Sequence, residues 1–279
     1  MIYAISGSSG FIGSHLKRFL KGHTILPISQ SLLYSPNELK KFFEKEKPDY
    51  IINLAAYGNM SNQQDVAMIV FSNYIGTYNM LSASMEVPYK KFIQIGSSSE
   101  YGRKDLPMRE SDLPETTTFY GASKLGATYL AKAFSVKKPV IIIRPFSVYG
   151  QDEADFRFIP TVIKHLLSGE EMILDPNPVH DWILVDDFIN GMLTACEYAK
   201  NGEIINVGTG RETSNKEIVE ILERISNKTL KYKESTMRDF DTSHWSADIS
   251  KLATYGWRPK FPLGLGLAKT YEFFKAKFA

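Results

Sequence analysis

Residues 2 to 13 read Ile2-Tyr3-Ala4-Ile5-Ser6-Gly7-Ser8-Ser9-Gly10-Phe11-Ile12-Gly13. The run Ile2 to Ile5 is a short apolar strand of the kind buried on both faces. Each of the three glycines after it has its own use. Gly7 permits a tight turn, Gly10 lets backbone approach a pyrophosphate, and Gly13 lets the next helix pack closely on the strand. The N–H groups that open that helix, at Phe11 and Ile12, lack partners within it and point at phosphates. This stretch predicts a dinucleotide-binding turn. Small-residue turns also arise from packing alone, so the reading needs support from the rest of the chain.

Beyond Gly13, helices and strands alternate. Leu16, Phe19 and Leu20 in Ser14 to Lys21 have helical spacing, and Thr24 to Ile28 is a second strand. At the end of that strand a dinucleotide fold usually places Asp or Glu on the adenosine ribose, but here stand Ser29, Gln30 and Ser31. Hydroxyl and amide groups tolerate the 2′-phosphate that a carboxylate would repel, so NADP(H) is favoured, with NAD(H) also possible because no Arg or Lys stands nearby. Ser35 and Pro36 read as N-cap and first position of a helix to Glu46. Asp49 to Leu54 is a third strand ending in Ala55-Ala56, small enough to leave room for a ligand. A long helix over Gln64 to Met85 precedes a fourth strand, Lys91 to Ile95. A helix from Phe119 leads to a fifth strand, Val140 to Ile143.

The expected fold is α/β: a doubly wound, Rossmann-type parallel sheet with ligands at the carboxyl ends of its strands, and a smaller C-terminal α/β region for substrate. The expected division is a dinucleotide-binding domain over 1–150, rejoined by 186–207, and a mostly substrate-binding region over 151–279.

Bulk composition narrows the function. The chain has 279 residues, with 33 Lys plus Arg against 31 Asp plus Glu, a net charge of +2. Such balance gives no reason to expect nucleic acid or an anionic membrane as partner. Cys196 is the single cysteine, which excludes an internal disulfide and fits the reducing cytoplasm. Met1 leads directly into a strand, and no apolar run reaches bilayer-spanning length. The five histidines are scattered, so no metal is expected.

Tyr120 and Lys124, four apart on a predicted helix, project from one face. A phenol is a poor base near neutral pH, but an ammonium beside it favours the phenolate and makes the pair a usable general acid/base. After the fourth strand comes Gly96-Ser97-Ser98-Ser99-Glu100-Tyr101-Gly102. A serine hydroxyl there can polarise the carbonyl that the tyrosine protonates.

Glycine turn, serine cluster and Tyr/Lys pair, in that order, resemble the extended short-chain dehydrogenase/reductases that act on nucleotide sugars: the 4-epimerases, 4,6-dehydratases and 4-ketosugar reductases. The resemblance covers nearly the whole chain. It implies a cofactor site of Gly7, Gly10, Phe11, Ile12, Gly13, Ser29, Gln30, Leu54, Ala55, Ala56, Asn73 (in Asn73-Tyr74-Ile75-Gly76-Thr77), Tyr120, Lys124 and Pro145. Tyr120, Lys124 and Ser97 match the catalytic positions, with Ser98 in place of Ser97 if the loop is offset by one, and Ser98, Ser99 and Ser147 fall where substrate is contacted. Arg238, three before Asp241, matches the family's Arg-x-x-Asp and is the candidate diphosphate clamp. Where the family often has Arg before Asp181-Trp182-Ile183, this chain has His180, which reads as structural.

The resemblance implies hydride transfer between a nicotinamide and an oxygen-bearing carbon of a nucleotide-diphosphate sugar. The resemblance also implies that dehydratases place an acidic pair, or Ser-Glu, directly after the catalytic residue. Ser98 and Ser99 stand there, with Glu100 one place too late, so an NADPH-dependent 4-keto-6-deoxysugar reductase is favoured, with a 4-epimerase as alternative. A reductase of small carbonyl compounds and a non-catalytic dinucleotide sensor remain open; the sensor would not need Tyr120, Lys124 and Ser97 together. The helices at Gln64 to Met85 and from Phe119 pair across a twofold axis in such proteins, so a homodimer is expected through Phe71, Tyr78 and Tyr129.

Overall fold

A computed structural model describes residues 1–60, 62–235 and 244–278. Five strands, β1 (Ile2–Ser6), β2 (Thr24–Ile28), β3 (Tyr50–Asn53), β4 (Lys91–Ile95) and β5 (Val140–Pro145), join the strand Ile204–Val207 in one parallel sheet. The order is Ile204–Val207, β5, β4, β3, β1, β2. Between β1 and β3 the direction of winding reverses, and the crevice outside that switch point is where such sheets bind ligands.

Strand alternation sorts the apolar residues onto two faces. Tyr3, Ile5, Ile52, Ile93, Ile141, Ile143, Ile205 and Val207 pack with Leu16, Phe188, Ile189 and Met192 on one side. Ala4, Ile51, Phe92, Val140, Ile142 and Ile204 pack with Leu39, Phe43, Met80, Leu81 and Ala131 on the other. A separate core gathers Tyr149, Ile159, Ile163, Trp182, Leu184, Leu222, Leu267 and Phe274 from the second half. Among the described residues no helix is long and apolar enough to cross a membrane.

The first helix, α1 (Phe11–Phe19), opens at Phe11, as the glycine turn predicts, with Gly10 as its N-cap residue. Local structure departs from expectation in two places. Ser35 precedes Pro36 at the start of the helix Pro36–Glu46, as expected, but its side chain makes no capping bond. The long helix starts at Val66, where the Asp65 carboxylate accepts from the Met68 N–H, and it widens into a π-helical turn over Phe71–Ile75 before continuing as Gly76–Ser84. Such turns displace side chains from α-helical spacing, which hydrophobic periodicity does not register.

Candidate functional site

At the carboxyl edge of the sheet, Gly7 adopts a left-handed φ of +68°. A Cβ on Gly13 would stand 2.3 Å from the Gly7 carbonyl oxygen, so only glycine brings α1 this close to the turn. The N-cap Gly10 offers no side-chain acceptor, and the N–H groups opening α1 at Phe11 and Ile12 remain for an incoming anion. The residues therefore fit a dinucleotide pyrophosphate. Alongside, Ser6 Oγ donates to Asn53 Oδ1 (2.6 Å) and accepts from the Ala55 N–H (3.2 Å), which positions the turn at Leu54, Ala55 and Ala56. Asn53 Nδ2 extends this buried network to Thr77 (3.0 Å) and Gln94 (2.9 Å).

Asn73 is buried in the π-helical turn and bonded within the protein. It exchanges hydrogen bonds with the Tyr57 backbone, accepting at 2.9 Å and donating at 2.8 Å, and donates to Ser123 Oγ at 2.9 Å. Its side chain thus ties the loop after β3 to the helix Phe119–Phe134, which carries Tyr120. Beyond β2, Ser29 caps a four-residue helix, Gln30–Leu33, too short for hydrophobic periodicity to reveal; Ser29 Oγ accepts from Leu32 N–H (3.1 Å) and lies 2.9 Å from Ser31 Oγ. Ser29, Gln30 and Ser31 are exposed.

The serine loop is shaped by Glu100. Its carboxylate accepts from the Ser97 N–H (2.8 Å) and pairs with Arg144 at 2.8 Å (Nε) and 2.7 Å (Nη2), both side chains being buried. Arg144 stacks on Tyr101, 4.3 Å from its ring centre, and Tyr101 donates to Asn206 Oδ1 at 2.7 Å. Burial raises the Glu100 pKa, with Arg144 opposing. Ser97 Oγ accepts from Ser99 N–H at 3.1 Å, and Ser98 Oγ accepts from the Trp245 indole at 3.2 Å.

Tyr120 meets this loop because Gly121 follows it: a Cβ there would lie 2.5 Å from the Ser99 carbonyl oxygen. Burial pushes the Tyr120 phenol up to about 12; the hydrogen bond with Ser97 and the charge of Arg157 act in the opposite sense, while Glu100 adds to the rise. Lys124 is only 2% exposed and donates to the Ile95 carbonyl at 2.5 Å. Burial lowers it to about 8, against the attraction of Glu100. Its ammonium is held to the end of β4 rather than to the phenol, with further donors for a ligand hydroxyl. Pro145 ends β5 opposite Val207, and Ser147 hangs from the adjoining strand Ser147–Tyr149.

Arg238 lies outside the described residues. His180 stacks edge-on against Trp182 at 5.3 Å, and burial, with Arg157 adding, lowers its pKa to about 4, so it is neutral near pH 7. Trp245, Glu153 and Arg157 also reach this neighbourhood, and no motif of the sequence singles them out. For the last two the only signal was local: an acidic and a basic residue four positions apart, which the structure pairs at 3.3 Å.

A doubly wound parallel sheet with a glycine-rich turn and a Ser/Tyr/Lys cluster at its carboxyl edge defines a Rossmann-type fold of the short-chain dehydrogenase/reductase kind. The chain matches the NAD dependent epimerase/dehydratase family over residues 3–208 and belongs to it. It is 26% identical to dTDP-glucose 4,6-dehydratase of Haemophilus influenzae, covering 97% of this chain and 96% of that one. It is 28% identical to GDP-L-fucose synthase of Sinorhizobium fredii, covering 99% and 96%. Among solved structures, a tyrosine-to-phenylalanine variant of UDP-glucuronic acid 4-epimerase from Bacillus cereus, in complex with UDP-4-deoxy-4-fluoro-glucuronic acid and NAD, superposes with a TM-score of 0.91 at 27% identity, over 99% of this chain and 100% of that one.

Proposed function

We propose that this chain is an NADPH-dependent reductase of a nucleotide 4-keto-6-deoxysugar. The observation that carries the reading is the state of Glu100. Its carboxylate is buried and taken up by Arg144 and the Ser97 N–H, and Ser98 and Ser99 are the side chains that follow Ser97. Elimination of water needs an acid and a base beside the sugar; a carboxylate locked in a buried ion pair serves neither role. Exposed Ser29, Gln30 and Ser31, with no carboxylate among them, support NADPH.

In this reading a bound nicotinamide supplies the hydride. Tyr120 gives a proton to the carbonyl oxygen, Ser97 holds that oxygen by hydrogen bond, and Lys124, fixed on the Ile95 carbonyl, presents its remaining donors to the nicotinamide ribose. Ser98, Ser99 and Ser147 line the sugar site, and Arg238 takes the diphosphate. Residues 1–150, with 186–207, act as the dinucleotide domain and 151–279 as the substrate region of a cytoplasmic homodimer.

A 4-epimerase is the second reading, favoured by the absence of Arg or Lys in the Ser29-Gln30-Ser31 stretch and by the superposable 4-epimerase. Assays of the purified protein separate the two. Consumption of NADPH with a nucleotide 4-keto-6-deoxysugar is the expected outcome. Tightly bound NAD, interconversion of two 4-epimeric nucleotide sugars and no net NADPH oxidation would establish the epimerase instead.

A further inference from the structure

Glu153 is 4% exposed, in the loop that leads from the strand Ser147–Tyr149 to the helix Phe158–Ser168. One carboxylate oxygen accepts from Arg157 Nε at 3.3 Å; the other, Oε2, is buried without a hydrogen-bond partner. Arg157 is the N-cap residue of that helix. Its Nη1 donates to the Asn59 carbonyl at 3.3 Å, so the guanidinium joins the start of the helix Phe158–Ser168 to the loop after β3. Its charge reaches both Tyr120 and His180. The side chain remains 35% exposed, and a guanidinium has five donors, of which Glu153 and Asn59 take two.

We propose that Arg157, held in place by Glu153, is a substrate clamp that binds paired anionic oxygens of the nucleotide sugar, supplied by its pyrophosphate or, in the 4-epimerase reading, by a sugar carboxylate. The inference rests on the nucleotide-sugar reading above. A planar, partly buried fork suits two-oxygen acceptors, and no mobile ammonium would span Glu153 and Asn59 in this way.

The buried partner makes the clamp sensitive to pH. Burial pushes Glu153 up to about 7, with Arg157 and the Gly150 N–H opposing. The titratable groups around it are Arg157, Tyr149 and, beyond Tyr149, Asp187; His180 faces Arg157 from the other side. A ligand anion arriving at Arg157 adds negative charge beside Glu153 and favours its neutral form. Binding therefore takes up a proton, and affinity falls as pH rises through about 7.

Titration calorimetry on the full chain loaded with cofactor tests this, with UDP-glucose, dTDP-glucose and GDP-mannose as pyrophosphate probes and UDP-glucuronic acid as the carboxylate probe. Arg157→Gln should weaken binding roughly tenfold to a hundredfold, and Arg157→Lys should recover part of it. Equal loss for all probes identifies the pyrophosphate, and loss confined to UDP-glucuronic acid identifies the carboxylate. Unchanged affinity for every probe overturns the clamp. Glu153→Gln should still bind but lose the pH slope and the proton uptake, and a slope that persists also overturns the proposal. If the wild-type protein binds none of the four probes, the nucleotide-sugar reading fails first and the clamp with it.

Discussion

Tyr120 and Lys124 lie one helical turn apart, and the sequence predicts that the lysine tunes the phenol directly. The structure seats the ammonium on the Ile95 carbonyl instead, while the phenol meets Ser97 and feels Arg157. Helical spacing specifies which residues share a face; it does not specify which acceptor from another strand reaches one of them first. The proton role proposed for Tyr120 predicts that Tyr120→Phe lowers kcat by about a hundredfold or more, with cofactor affinity nearly intact because the glycine turn is untouched. Steady-state kinetics and a cofactor titration check both halves, and a variant with near-normal turnover would take Tyr120 out of the mechanism.

Between elements, the segment around Trp245 and Ala247 is anchored by one carboxylate. Asp181 accepts from the Thr209 N–H (2.7 Å), the Thr209 hydroxyl (2.6 Å), the Gly210 N–H (2.9 Å) and the Ala247 N–H (3.0 Å). It is fully buried, and these donors hold an acceptor that burial alone would penalise. The strand Trp182–Leu184, the turn after Ile204–Val207 and the residues beside Trp245 thus share one fastening, next to the Ser98 hydroxyl. Asp181→Asn replaces an acceptor oxygen by an amide nitrogen facing N–H donors. We expect a loss of about 2–4 kcal/mol in a urea melt and faster hydrogen exchange at Gly210 and Ala247. Unchanged stability and exchange would show that the three elements are fastened elsewhere. Asp181 was visible in the sequence as part of a family segment, but its four donors come from positions 28 to 66 residues away.

For the whole molecule, the helix Val66–Val70 and its continuation Gly76–Ser84 pack beside Phe119–Phe134. Val70, Phe71, Tyr78 and Tyr129 remain between 39% and 54% exposed on these helices. An apolar surface of this kind is what a twofold partner would cover. Sedimentation should show a dimer at micromolar concentration and a monomer for Tyr129→Glu, whereas a monomeric wild type would count against the interface. The sequence by itself determined the parallel sheet and the glycine-rich turn, because strand alternation, glycine placement and helix starts are local consequences of backbone geometry, legible in a few consecutive residues. Tertiary structure decided the rest of the site. The pairing of Glu100 with Arg144, the meeting of Ser98 with Trp245 and the reach of Arg157 toward Asn59 join residues 44, 147 and 98 positions apart. Burial, which raises Glu100, Tyr120 and Glu153 and lowers Lys124, exists only once those distant segments have excluded water together.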